Sequence, residues 1–191
     1  MSIEDLNRLE SLLETHIGKA FLSERVVMRG KDLHHELGDR QWMDVFLYAI
    51  TGRQFTESQL RFLNFMWVAS SYPDPGIWPN QVAALGGSAR STASLSLLAG
   101  LAVSEAKIYG RRPERKMLDF FHRAASAEDA GISIEDFILQ ELSERRIVAG
   151  YGRPLARVDE RIPHTLKLIE ELGLEKGRYF QLAFKVYEYL K

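Results

Sequence analysis

Gly150 and Gly152 flank Tyr151, and Arg153, Arg157 and Arg161 then follow at intervals of four. Glycine lets a backbone adopt positive φ or come close to a ligand, and the arginine guanidinium is a planar fork that grips carboxylate or phosphate in two places. A glycine turn feeding spaced arginines therefore reads as an anion site. The competing reading is a solvated loop in which the arginines pair with Asp159, Glu160 and Glu144, since surface arginine pairs are common and weak.

Other chemistry is thinly represented. The 191-residue chain contains no cysteine, which removes disulfides, thiolate catalysis and cysteine-based zinc sites together and fits a reducing compartment. His34 and His35 are adjacent, so on a helix they point about 100° apart and cannot share a metal as an i, i+4 pair could. No metal site is expected. A formal charge of −1 and a pI near 6.5 leave no broad basic field, and no basic run with interleaved aromatics appears, so nucleic acid is not an expected partner. The opening MSIEDLNRLE is charged and periodic, and no apolar run approaches a bilayer span. These features predict no secretory leader, no membrane segment and a cytoplasmic location.

The elements that must position the glycine–arginine stretch read almost wholly as helices. Ile3, Leu6, Leu9, Leu12, Leu13 and Ile17 recur at helical spacing behind Glu4 and Asp5, predicting an amphipathic helix that ends near Gly18. A short extended piece at Arg25–Arg29 meets Gly30, and KDLHHELGD has the look of a short helix closed by Gly38. Gln41–Ile50 is apolar nearly throughout, which predicts a helix buried on most sides. Thr56 and Gln59 form a capping box opening the next helix, also apolar around most of its circumference.

SSYPDPGIWPNQ, with three prolines and a glycine, reads as a loop. The small-residue stretch from Gln81 predicts a central helix from about Ala89 to Lys107, packed closely against another helix or a symmetry mate. After the loop Tyr109–Pro113 come a helix carrying Met117, Leu118, Phe121 and Ala125, and a second capped by Ser133 and Asp136 that buries Ile134, Phe137, Ile138, Leu139 and Leu142. Ile162, Leu166, Ile169 and Leu172 mark a helix closed by Gly173, and Tyr179, Leu182, Ala183, Val186 and Leu190 mark the last. The expected fold is all-α, with no convincing strand pattern, in a single domain over residues 1–191.

Four blocks in this order resemble the citrate synthase family, with the shorter citryl-CoA lyase-like members nearest. RVVMRGKDLHHELGDRQWMDVFLYAITGRQFTESQ resembles the family's segment of short strand, small helix and capped helix. DPGIWPN resembles its "DHGLtPS" loop, AALGGSARSTASLSLLAGLAVSEAKIYG its helix ending in "lHG", and IVAGYGRPLARVDERIPHTLKLIEELGL its "GfGHpvyk.DPRa" stretch. The blocks cover residues from about 25 to 190.

The resemblance implies a multi-helical globule with a large helical body and a smaller helical subdomain over about 111–173. It also implies a homodimer with helices between about Gln81 and Lys107 at the interface. Family members enolise an acyl-CoA with an aspartate base and histidines that hydrogen-bond the enolate and the electrophile. Here the three histidine positions fall on Pro75, Tyr109 and Arg153. The family's aspartate lies well beyond the "GfGH" turn, and no counterpart is expected before Lys191.

Arg161 falls on the arginine that grips a substrate carboxylate, with Glu160 replacing the usual proline beside it. Arg157 falls on a basic position facing coenzyme A phosphate, and Gly150, Tyr151 and Gly152 on the backbone lying against coenzyme A. Arg153 and Tyr109 complete the expected ligand-facing set. Three functions compete: a catalytically degenerate binder of coenzyme A, acyl-CoA or a carboxylate acting as a non-catalytic subunit or sensor; an altered acyltransferase or C–C lyase whose site is completed by a second citrate-synthase-like chain; and a structural helical dimer.

Overall fold

In the computed structural model, which describes residues 3–10, 15–152 and 159–191, the polypeptide divides into two units, Met1–Val68 and Ala69–Lys191. In the first unit α1 spans Ile3–Glu10. Thr15–Ile17 are not helical and β1 begins at Gly18, so the helix expected to reach Gly18 stops short of it.

Three short strands, β1 (Gly18–Phe21), β2 (Arg25–Met28) and β3 (Lys31–Asp32), form an antiparallel sheet in that order. They are a local exception to an otherwise all-α architecture. The β2–β3 turn holds only Arg29 and Gly30 between paired Met28 and Lys31, and both have positive φ, 49° and 83°, as tight hairpin turns require. Arginine at positive φ is uncommon, and here it is anchored. Its Nε and Nη2 donate to the carbonyls of Ala49 and Ile50 at 2.9 and 3.0 Å, and its own carbonyl accepts the Tyr48 hydroxyl at 2.9 Å. The hairpin is thus fastened to the C-terminal carbonyls of the Trp42–Thr51 helix, where a cation is favoured.

The helix expected over KDLHHELGD does not form. The Asp32 carboxylate takes the His34 and His35 amides, both at 2.9 Å, and Asp32 N–H donates to Glu36, so one turn closes locally and goes no further. Helix α2 (Trp42–Thr51) buries only Met43 and Tyr48, and α3 (Glu57–Ala69) buries no residue. The expectation of helices buried on most sides is therefore wrong: Trp42, Phe46 and Trp67 instead cluster with each other, ring to ring at 4.9 to 6.4 Å, with Trp42 and Trp67 more than half exposed. The Thr56–Gln59 capping box is present in both directions.

In the second unit the small-residue region is two helices, α4 (Trp78–Ser88) and α5 (Ala93–Val103), rather than one from Ala89 to Lys107. Arg90 sits at φ 58°, Ser91 N–H bonds the Gly86 carbonyl and Arg90 N–H that of Gly87. This pair of bonds ends a helix. Thr92 then caps α5. The small residues serve the α4–α5 contact: a Cβ on Gly100 would lie 2.7 Å from the Pro79 carbonyl oxygen, and one on Gly86 2.6 Å from Ser96 Oγ.

Helices α6 (Arg111–Asp129), α7 (Ile134–Arg145) and α9 (Arg178–Leu190) share a core of Phe120, Ala124, Phe137, Ile138, Leu182 and Val186 with Val148. Between α7 and α9 in the sequence comes α8 (Arg161–Glu171), burying Leu168 and Ile169. Leu139 and Leu142, expected in the core, are 54% and 37% exposed. Their neighbour Glu141 is buried in their place, because Arg123 and Arg145 meet its carboxylate.

Candidate functional site

Arg161 opens α8, and two residues before it Asp159 turns its carboxylate back onto the arginine. Asp159 Oδ1 accepts the Arg161 backbone N–H at 3.0 Å and Nε–H at 2.8 Å, and Oδ2 accepts Nη2–H at 2.5 Å. This bidentate charge-assisted pair raises the Arg161 pKa. The guanidinium also lies 5.8 Å from the centroid of the Tyr72 ring, and the Tyr72 hydroxyl donates to Glu160 Oε1 at 2.6 Å, which raises the Tyr72 pKa. Residues 88 apart in sequence therefore meet at the head of α8.

The loop that brings Tyr72 there is organised by Asn80, whose side-chain amide donates to the carbonyls of Tyr72 and Asp74 at 2.9 and 3.0 Å. Asp74 Oδ1 accepts the Gly76 N–H, and Pro75 is exposed at the tip. Where the same loop enters α4, Trp78 packs against Tyr109 with ring centroids 5.3 Å apart. Tyr109 precedes Gly110, whose φ of 72° and close approach to the Ser104 carbonyl leave no room for a Cβ. The 72–80 loop thus touches both the α8 head and the α5–α6 connection.

The glycine turn has a packing role that its spacing did not announce. The Tyr151 ring packs near Phe120 and Phe121, and its hydroxyl donates to the Ala183 carbonyl at 2.7 Å. Burial pushes its pKa up. Gly150, at φ 92°, is where the chain crosses Met117, so that a Cβ would lie 2.6 Å from Met117 Cγ, while Gly152, at φ 109°, has nothing within 4 Å among the described residues. The turn plugs Tyr151 into the core. Arg153 and Arg157 lie outside the described residues.

Of the predicted set, the structure brings Arg161 together with Asp159 and Glu160, as the competing solvated-loop reading anticipated for that arginine. It adds Tyr72 and Asn80, which sequence reading missed; the signal for them was the length of the proline-rich loop rather than any spacing. A groove of about 660 Å³ lies between the α6–α7 turn and α9, lined by Ile132, Phe184 and Glu188 among others, and its described lining includes none of the predicted residues. Among the described residues no cluster could hold a metal ion, and no helix is long and apolar enough to cross a membrane.

No protein-family model matches the chain and no curated protein sequence matches it. Solved structures do. The fold is similar to that of citryl-CoA lyase from Hydrogenobacter thermophilus, with a TM-score of 0.78 and 18% identity, over 94% of this chain and 68% of that one. It is also similar to ATP citrate lyase from Methanothrix soehngenii in complex with citrate and coenzyme A, with a TM-score of 0.74 and 15% identity, over 98% of this chain and 31% of that one. A variant of Methanosaeta concilii ATP citrate lyase in complex with (3S)-citryl-CoA gives a TM-score of 0.67 at 15% identity, over 90% of this chain and 28% of that one. The chain therefore has a citryl-CoA lyase-like, predominantly helical fold, and it spans less than a third of either ATP citrate lyase.

Proposed function

We propose that this chain binds an acyl-CoA or a carboxylate anion as a non-catalytic relative of the citrate synthase and citryl-CoA lyase proteins, serving as a subunit or sensor. The observation that carries the reading is the likeness of fold to citryl-CoA lyase across 94% of the chain, with ATP citrate lyases of the same likeness holding citrate, citryl-CoA or coenzyme A. Arg161 supports it, because the resemblance puts the carboxylate-gripping arginine there and the structure places its guanidinium at a loop junction. Coenzyme A or an acyl-CoA is the ligand this reading assigns, with Arg153, Arg157 and the Gly150–Gly152 backbone as its further contacts.

The residues at the family's histidine positions support a loss of catalysis. Pro75 has no side-chain proton to transfer, Arg153 stays protonated at neutral pH and cannot act as a base, and Tyr109 can at most donate a hydrogen bond. An altered lyase completed by a second citrate-synthase-like chain is the alternative, and it differs in one measurable way: thiol release would appear only in the mixed complex.

A thermal-shift screen with coenzyme A, acetyl-CoA, citrate and oxaloacetate tests the binding half. A ligand present at 100 times its Kd adds roughly 2.7 kcal/mol when only the folded state binds it, an easily read shift. No shift with any of the four overturns the proposal.

A second reading concerns assembly. Helices α4 and α5 contain no charged residue, yet Leu95, Leu97, Leu98 and Leu101 are each more than half exposed in the isolated chain. Exposed apolar surface of this kind marks an interaction face. Because it carries no charge, a second copy of the same face meets it without repulsion, which favours a two-fold homodimer through α5.

A further inference from the structure

We propose that Asp159 is a built-in competitor for the ligand carboxylate, holding Arg161 closed until an incoming carboxylate displaces it; this inference rests on the anion-binding reading above. The geometry is that of an occupied site. Asp159 presents both oxygens to Nε and Nη2 of Arg161 at 2.8 and 2.5 Å, the same fork-to-fork arrangement a bound carboxylate would make. The Arg161 backbone N–H, which a ligand oxygen could otherwise take at the head of α8, is also spent on Asp159 Oδ1 at 3.0 Å.

The clasp is held from two further sides. Tyr72 lies under the guanidinium and is itself fixed by Glu160 and, through its carbonyl, by Asn80. Thr165 Oγ1 donates to the Arg161 carbonyl at 2.8 Å. Asp159 and Tyr72 thus orient the guanidinium before any ligand arrives, and among the described residues the group that must leave is the Asp159 carboxylate. Tethered two residues away, that carboxylate acts at an effective concentration on the order of millimolar or above. A dilute free carboxylate therefore meets an occupied arginine, and the site responds only to a ligand that is abundant or that is held by other contacts as well.

Citrate and coenzyme A separate the two ideas, because citrate carries carboxylates and coenzyme A carries none. Asp159→Asn removes the charge while keeping an oxygen for the Arg161 backbone N–H. Calorimetric titration at fixed ionic strength should show citrate binding about tenfold tighter to D159N than to the unaltered chain, coenzyme A unchanged, and the citrate gain absent in D159N combined with Arg161→Ala. Glu160→Gln removes a neighbouring charge without freeing Arg161 and should move citrate binding much less. Asp159→Ser, which also keeps an acceptor, replaces D159N if thermal melting shows the latter misfolded.

Citrate binding that is equal in the unaltered protein and in D159N overturns the clasp and leaves the anion-binding reading standing. An equal gain for citrate and coenzyme A, or for D159N and E160Q, likewise overturns it. Failure of all these proteins to bind either ligand overturns both.

Discussion

The Arg123 guanidinium grips the Glu141 carboxylate in two places, at 2.5 and 3.0 Å, with the glutamate side chain only 4% exposed. Arg145 approaches the same carboxylate at 3.3 Å, Asp119 bonds the far side of Arg123, and Arg123 lies over the Phe137 ring. The charge on Glu141 is therefore compensated where α6 and α7 pack. Removing Arg123 leaves the buried Glu141 carboxylate only the longer Arg145 contact among the described residues, and an under-compensated interior charge costs more than the intact pair contributes. Arg123→Ala is expected to destabilise the protein by about 3 kcal/mol, and Arg123→Met with Glu141→Leu to recover most of that loss. Urea denaturation of the two variants is the measurement, and equal losses would show that the ion pair is not the cause.

Arg161→Ala should weaken binding of citrate by about 1.5–3 kcal/mol, the range for a hydrogen bond to a charged group. Fold stability should fall by less than about 1 kcal/mol, because the pair it loses with Asp159 is partly exposed and solvent screens it. A Kd unchanged by titration calorimetry would remove Arg161 from the site.

Sedimentation tests the α5 face. Leu98 is 58% exposed in the isolated chain, so Leu98→Arg adds a charge without burying one and should leave the melting temperature of the monomer nearly unchanged. The unaltered protein should sediment as a dimer at micromolar concentration and the variant as a monomer. A monomeric unaltered protein ends the dimer reading.

How much of this was legible beforehand differs by element, for physical reasons. The capping signals at Thr56 and Ser133 were read correctly because a cap is a local bond between a side chain and an amide three residues on. The fold was legible through four ordered blocks, although at 18% identity no single stretch is distinctive. Burial was not. Phe120, fully buried, went unnoticed beside Phe121 and Leu118, because apolar residues surround several helices and periodicity then ceases to mark one face. Trp42 and Trp67 lie on just such helices and face out.

The α8 head was half legible. The pairing of Arg161 with Asp159 depends on two residues close in sequence and was anticipated as the solvated-loop alternative. Tyr72 reaches it from 88 positions away, a distance at which spacing carries no information. The packing of the Tyr151 ring against Phe120 and Phe121 was not legible for a related reason. Glycines on both sides announce a special backbone path, and only the packing of α6 and α9 decides that the path leads inward.

Gly150 and Gly152 separate steric from conformational cost. Both have positive φ, but a Cβ at Gly150 meets Met117 and one at Gly152 meets none of the described residues. Gly152→Ala should cost about 1–2 kcal/mol from the left-handed backbone alone, and Gly150→Ala more. Combining Gly150→Ala with Met117→Ala should not restore stability fully, since the backbone term remains and a cavity is added. Melting temperatures of the set report the order.

Tyr151 gives the protein a specific alkaline weakness. Burial against Phe120 and Phe121 pushes its hydroxyl well above the ordinary tyrosine value of 10.0, so above pH 10 the unfolded chain releases this proton while the folded chain keeps it. A folded-state value raised above the unfolded one gives a contribution that is complete below pH 10 and is lost as pH climbs toward the folded value. The slope is at most about 1.4 kcal/mol per pH unit for one group. Tyr151→Phe removes that slope. At pH 8 it should cost about 1 kcal/mol, because the Ala183 carbonyl loses its donor, and the deficit should shrink, then reverse, between pH 10 and 11. Denaturant midpoints for both proteins across that interval are the check. Curves that stay parallel would mean that Tyr151 ionises like an exposed tyrosine and that its hydroxyl is not held in the core.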